Sequence, residues 1–289
     1  MTERLTVPKT HKLFIGGRFP RSESGRSFIV TDSKRRFLAN AALASRKDAR
    51  DAVVAARKAF PGWSGATAYN RGQVLYRVAE LLEGRRRQFV DEVIAAEGLT
   101  SKHAQEVVGA SIDRWISYAG WSDKIAQIDG AANPVSGPYF DFSVPEPTGV
   151  VAIVAPQKSA LLGLVSVLAP VIVTGCTAVV LASESRPLPA VTLSEVLATS
   201  DVPAGVVNVL SGHTEEVAPW LAAHMDVNAV DLTGAPIQLA ADLERSAAEN
   251  LKRVLRPPVD GEPDWTGESD VDRIRFVLET KTVWHPIGI

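Results

Sequence analysis

Val150-Val151-Ala152-Ile153-Val154-Ala155, opened by Gly149 and closed by Pro156-Gln157-Lys158, is a continuous apolar run of strand length. Three more such runs follow at 178–181, 206–210 and 229–232, separated by helically spaced stretches of about 10 to 14 residues. Alternation of this kind is the signature of βαβ units and a parallel sheet buried on both faces, so the expected class is α/β with a doubly wound sheet. The run at 161–173 is interrupted by Pro170 and that at 150–155 by Pro156, which leaves both short of the roughly 20 apolar residues that span a bilayer.

Toward the N-terminus the period changes. Ala49, Val53, Ala56 and Phe60 share one helical face, with Ser45 placed to cap and Pro61-Gly62 expected to stop the run. Further helices are expected at 71–82, 87–97 and 102–125. Ahead of them, Gly16-Gly17 between Leu13-Phe14-Ile15 and Arg18-Phe19 predicts a hairpin opening the fold, because a primed two-residue turn needs positive φ at both positions. Between the two halves, residues 133–147 are rich in Pro and Gly around Tyr139-Phe140-Asp141-Phe142-Ser143-Val144, an extended segment expected at an edge or interface. After Val254 the regular pattern stops. Residues 256–264 read as a connection with no packed structure of its own, followed by a short helix at 271–278 and a strand over 280–284 that ends at His285-Pro286.

Composition narrows the function. The 289 residues are 46% hydrophobic and 22% charged, an ordinary globular balance, and a net charge of −2 from 31 basic and 33 acidic residues offers no field to attract nucleic acid or a membrane surface. The basic run Arg85-Arg86-Arg87 follows Glu80 and Glu83 at pairing distance on a helix, so it reads as a solvated face. The five histidines are scattered without metal-ligand spacing, and no metal is expected. The single Cys176 has no partner for a disulfide and suits a reducing compartment; with a polar segment at 1–12, a cytoplasmic location is expected.

The order of these phrases resembles the aldehyde dehydrogenase superfamily. Carrying the resemblance are Lys12-Leu13-Phe14-Ile15-Gly16-Gly17, Ala55-Ala56-Arg57-Lys58-Ala59-Phe60-Pro61-Gly62-Trp63, Glu146-Pro147-Thr148-Gly149-Val150-Val151 and Val202-Pro203-Ala204-Gly205-Val206-Val207-Asn208-Val209. The tail, Glu279-Thr280-Lys281-Thr282-Val283-Trp284-His285-Pro286-Ile287-Gly288, resembles the aldehyde dehydrogenase 16 type, as do Leu162-Gly163-Leu164-Val165-Ser166 and the stretch at 199–208. That type carries a second, degenerate unit, of which this chain looks like a free-standing version. The resemblance implies a nucleotide-binding-like α/β domain over 12–132 and 148–255, oligomerisation strands at 133–147 and 279–289, and a linker at 256–270 where the catalytic domain would lie.

Aldehyde oxidation through a thioester needs a thiolate, donors for the oxyanion, a base for the deacylating water and a nicotinamide to take hydride. Cys176 lies in a turn feeding a core strand where the family usually has Asn, and it reads as a packed thiol. The family's general-base Glu, shortly after a Leu-Lys-Arg phrase, falls on Pro257 behind Leu251-Lys252-Arg253. The family's Pro-Trp-Asn reads Pro156-Gln157-Lys158, with Lys158 taken as a solvated residue at a helix start. No catalytic residue is therefore expected. Of the cofactor site, the resemblance leaves Glu184 in Leu181-Ala182-Ser183-Glu184, and Thr233 and Gly234 ahead of Ala235-Pro236-Ile237-Gln238-Leu239; the lysine, serine and second glycine are lost. Gly234 also reads as a plain strand-to-helix turn residue.

The expectation is a non-catalytic homologue without cofactor, acting in oligomer assembly with itself or with a catalytic aldehyde dehydrogenase chain. Its interface residues would be Tyr139, Phe140, Phe142, Val283 and Trp284, on strands that are aggregation hazards unless partnered. The alternative is an NAD(P)-dependent oxidoreductase, or a cofactor-binding half of one, using Glu184, Thr233 and Gly234.

Overall fold

The computed structural model describes residues 9–288; residues 1–8 of the polar stretch at 1–12, and residue 289 of the tail, lie outside the described residues. Strands β1 (Thr10–His11), β2 (Ser27–Thr31) and β3 (Phe37–Ala42) form a small sheet ordered β1-β3-β2. Helices α1 (Arg46–Ser64), α2 (Ala68–Gly84), α3 (Arg86–Glu97), α4 (Ser101–Trp121) and α5 (Ile125–Asp129) follow. Next come β4 (Ala131–Asn133) and β5 (Tyr139–Pro147). The alternating half is β6 (Val150–Val154), α6 (Leu162–Val173), β7 (Thr177–Leu181), α7 (Leu188–Thr199), β8 (Val207–Leu210), α8 (Thr214–Ala223), β9 (Ala229–Asp231), α9 (Ile237–Ala248) and β10 (Arg253–Leu255). A connection leads to α10 (Val271–Phe276) and β11 (Leu278–Pro286).

The doubly wound sheet is present, entirely parallel and ordered β10-β9-β6-β7-β8. Alternate residues of β6 serve opposite cores: Val151 and Ile153 pack with α2, α4 and α6, while Val150, Ala152 and Val154 pack with α1 and α8. That two-sided burial is why the strand sequences are continuous rather than alternating. No helix among the described residues is long and apolar enough to cross a membrane.

Several expectations need correction. Helix α1 starts as expected, with Ser45 accepting from the Lys47 and Asp48 N–H groups and Asp48 completing a capping box, but it runs through Pro61 to Ser64. Pro61 lies in the last turn, where it removes one helical bond. Burial of Trp63, whose Nε1–H donates to the Ile172 carbonyl at 2.9 Å, holds the extra turn. The 102–125 helix is broken into α4 and α5. The Gly16-Gly17 turn forms, with φ of 58° and 75°, and its arms are joined by an Ile15–Arg18 bridge and by the Leu13 N–H donating to the Pro20 carbonyl at 3.0 Å, short of a regular ladder, while Phe14 bridges Val209 at the edge of β8. The opening sheet, including β2 and β3 on either side of the charged turn Ser33-Lys34-Arg35-Arg36, carried no clear periodic signal.

Two further corrections concern the tail. Regular structure does not stop at Val254, since β10 extends the sheet to Leu255. Residues 256–264 contain no helix or strand, as read, but are anchored by buried Pro257 and by Glu262, and the rest of the connection is packed: Trp265 is buried, and Arg114 donates to the Trp265 and Gly267 carbonyls. The strand at 139–147 is not an edge either. It pairs along nine residues with β11 on one side and with β4 on the other, giving the order β11-β5-β4 within one chain.

Candidate functional site

Strand order reverses between β6 and β9: from β6 the chain winds outward through β7 and β8, then returns to the opposite side of β6. In open α/β sheets the crevice at the carboxyl ends of the strands at such a switch point is where ligands bind. Here it is flanked by the turn after β6, residues 155–161, and the turn after β9, residues 232–236.

The two turns are bonded together. The Gly234 N–H donates to the Val154 carbonyl at 2.9 Å, and a Cβ on Gly234 would be driven into the Ala155 carbonyl. Gly234 is thus required by close backbone approach, the role a turn glycine plays between packed strands. Thr233 is buried beside it; its N–H and hydroxyl both donate to Asp231 Oδ1, and its hydroxyl oxygen accepts from Arg273 at 3.2 Å. Glu184 sits at the carboxyl end of β7. Its carboxylate oxygens bond His213 Nδ1 at 2.8 Å and the Thr214 N–H at 3.0 Å, placing negative charge at the start of α8, where the helix dipole favours it. Gln157 ties the turn after β6 to the end of β7: its amide donates to the Ala155 carbonyl at 2.7 Å and its oxygen accepts the Glu184 N–H at 2.9 Å.

The connection after β10 supplies the rest. The Glu262 carboxylate accepts from the successive N–H groups of Gln157, Lys158 at 2.6 Å and Ser159 at 3.1 Å, in the turn that leads into α6. Successive backbone donors of this kind form an anion-binding concavity, and the anion here is the chain's own. Glu97 accepts the next donor, Ala160 N–H, at 2.8 Å, and burial raises its carboxyl above the usual range. Arg273 of α10 reaches over the carboxyl end of β9, donating to Asp231 Oδ2 at 2.9 Å and lying 5.2 Å above the Trp265 ring. Lys158 is solvated.

Cys176 is fully buried immediately before β7, at the amino end of the sheet. The five-residue strand puts roughly 16 Å between it and the crevice. Its Sγ lies 3.4 Å from the Val277 carbonyl, and burial pushes the thiol above its ordinary range, which disfavours the nucleophilic thiolate.

At the other end of the molecule, β5 and β11 carry the five expected interface residues on two faces. Tyr139 and Trp284 meet edge to face at 5.7 Å on one, while Phe140 and Phe142, 5.4 Å apart, share the other with Val283, which pairs with Phe142. Tyr139, Phe140 and Trp284 are exposed, Phe142 and Val283 half-buried.

Glu262, Asp231 and Arg273 were not singled out in the sequence. A charged Asp231 inside the apolar run Ala229-Val230-Asp231-Leu232 is itself a signal that a partner must exist; Glu262, between Pro258 and Pro263, carried none.

A family model described as "Aldehyde dehydrogenase family" matches residues 20–256. The chain is 31% identical over 260 residues to "Putative aldehyde dehydrogenase DhaS" of Bacillus subtilis (strain 168), covering 88% of this chain and 52% of that protein. It is 33% identical over 251 residues to "Benzaldehyde dehydrogenase, mitochondrial" of Antirrhinum majus, covering 84% and 46%. Among solved structures it resembles HpcC from Thermus thermophilus, with a TM-score of 0.81, 30% identity and 85% and 47% coverage. It also resembles the NAD+ complex of an aldehyde dehydrogenase from Bacillus cereus, with a TM-score of 0.80, 27% identity and 85% and 50% coverage. The chain thus spans about half the length of the relatives it matches.

Proposed function

Because the chain belongs to the aldehyde dehydrogenase family, we propose that it acts there as a non-catalytic homologue whose work is association, with itself or with a catalytic aldehyde dehydrogenase chain. The observation that carries this reading is the position of Cys176. It is the one thiol of the sequence, buried at the end of the sheet opposite the crevice, with its thiolate disfavoured. The position of the family's general base is held by Pro257, which has no titratable group.

The residues present do not fit NAD(P). The backbone donors that suit a phosphate are taken by Glu262, the Thr233 hydroxyl is saturated by Asp231 and Arg273, and both Glu184 oxygens are bonded to the start of α8. A pyrophosphate entering here meets the Glu262 carboxylate, and like charges repel. The tail residues 279–288 support assignment to the degenerate second unit of the aldehyde dehydrogenase 16 type. Association is supported by the exposed aromatic ribbon of β5 and β11, whose outer β11 edge is open to another strand among the described residues. An unpaired thiol is compatible with a cytoplasmic setting.

The test is to express the chain alone and with a catalytic aldehyde dehydrogenase, measuring mass by light scattering while following NADH formation. A stable complex, homo- or hetero-oligomeric, that Trp284→Glu dissociates, with activity of the mixture unaffected by Cys176→Ala, is expected. A lone chain that reduces NAD with an aldehyde, or binds NAD in the micromolar range of working cofactor sites, would overturn the proposal.

A further inference from the structure

Helix α4 and the end of the connection line an open cavity of about 430 Å³. Its floor is Arg114, a residue only 7% exposed. The guanidinium donates to Ser166 Oγ at 2.9 Å, to the Trp265 carbonyl at 2.9 Å and to the Gly267 carbonyl at 2.5 Å. All three acceptors are neutral, and the Nε–H makes no hydrogen bond among the described residues. Arginine does not lose its proton in proteins, so a full positive charge lies here with neutral acceptors and no carboxylate in ion-pair contact among the described residues, which is expensive unless an anion meets it.

The nearest acids in the cavity, Asp113 and Glu268, lie at its exposed rim rather than on the guanidinium. Positive charge at the floor and negative charge at the mouth discriminate sharply. A simple anion must pass two carboxylates, and a simple cation ends against Arg114. Between the poles the wall includes Trp121 and Val271, which offer apolar surface to methylenes. The Ser117 and Ser269 hydroxyls are bonded to each other at 2.6 Å and leave the guanidinium as the dominant donor. From this polarity we infer that the cavity binds a small ω-amino acid, its carboxylate on Arg114, its aliphatic chain along Trp121 and Val271, and its ammonium between Asp113 and Glu268.

Calorimetric titration of the purified chain with 4-aminobutyrate, 5-aminopentanoate and 6-aminohexanoate tests this, with pentanoate and pentylamine as single-charge controls. At least one amino acid is expected to bind saturably in the millimolar range or tighter, tenfold or more above both controls. Glu268→Gln and Asp113→Asn, both on the surface, are expected to weaken it about two- to fivefold each, and Arg114→Gln to abolish it. The inference is overturned if none of the three binds saturably, if pentanoate binds as tightly, or if both rim variants, folded as wild type by circular dichroism, bind unchanged.

Discussion

Replacing Arg273 by Met tests whether the connection is held by the ion pair at the end of β9. The Arg273 side chain is 13% exposed and Asp231 3% exposed, with NH1 to Oδ2 at 2.9 Å. Removing one member of a buried pair leaves the other charged and desolvated, typically about 3–5 kcal/mol. Asp231 keeps both Thr233 donors on Oδ1, while Oδ2 loses its only hydrogen bond among the described residues, so the low end applies: about 3 kcal/mol, or roughly 5 °C in Tm for a chain of this size. Asp231→Asn retains the acceptor for Thr233 and leaves Arg273 a weaker partner in Asp270 at 3.7 Å, so about 1.5 kcal/mol is expected. The double variant buries no unpaired charge and should lose only about 2 kcal/mol, a coupling of about 2 to 3 kcal/mol. Urea unfolding followed by far-UV circular dichroism and by tryptophan fluorescence measures all three. A single Arg273→Met loss below about 1 kcal/mol, or strictly additive singles, would refute the reasoning.

Cys176 should be inert to Ellman's reagent in the native protein and react with one equivalent after unfolding in urea, since it is fully buried with its thiol pushed up. Gly234→Ala is expected to lose about 3 kcal/mol or more, or not to fold, because its Cβ has no space beside the Ala155 carbonyl; thermal melts report this. Glu92, whose Oε2 is buried without a partner among the described residues and whose carboxyl is raised mainly by burial, gives a pH prediction. Its folded pKa lies above the unfolded value, so its relative stabilisation is complete below the unfolded pKa and lost as pH rises through the folded one. Glu92→Gln, which can still accept from Thr192, should therefore become more favourable relative to wild type as pH rises from 4 to 7 in paired urea titrations.

The legible parts of this protein are those whose causes are local. Two-sided burial forces largely apolar runs, so β6, β7, β8 and β9 could be read from the order of residues along the chain. Ser45 caps α1 through bonds to its own first turn, and Gly16-Gly17 makes its turn from its own φ freedom.

What required the tertiary structure depends on groups far apart in the chain. Pro61 reads locally as a stop, yet the helix continues because Trp63 finds the Ile172 carbonyl more than a hundred residues away. The runs at 139–144 and 280–284 read separately as extended segments, and only the fold brings them, lengthened to 139–147 and 278–286, into one nine-residue ladder. Glu262 has no periodicity or motif around it; it fills the crevice because the path from β10 to α10 crosses the turn before α6. Sequence by itself determined the strands of the parallel sheet and the start of α1. Where the single thiol, the buried charges and the connection lie relative to the crevice was decided by packing, since periodicity reports which face a residue prefers and not which distant residue meets it there.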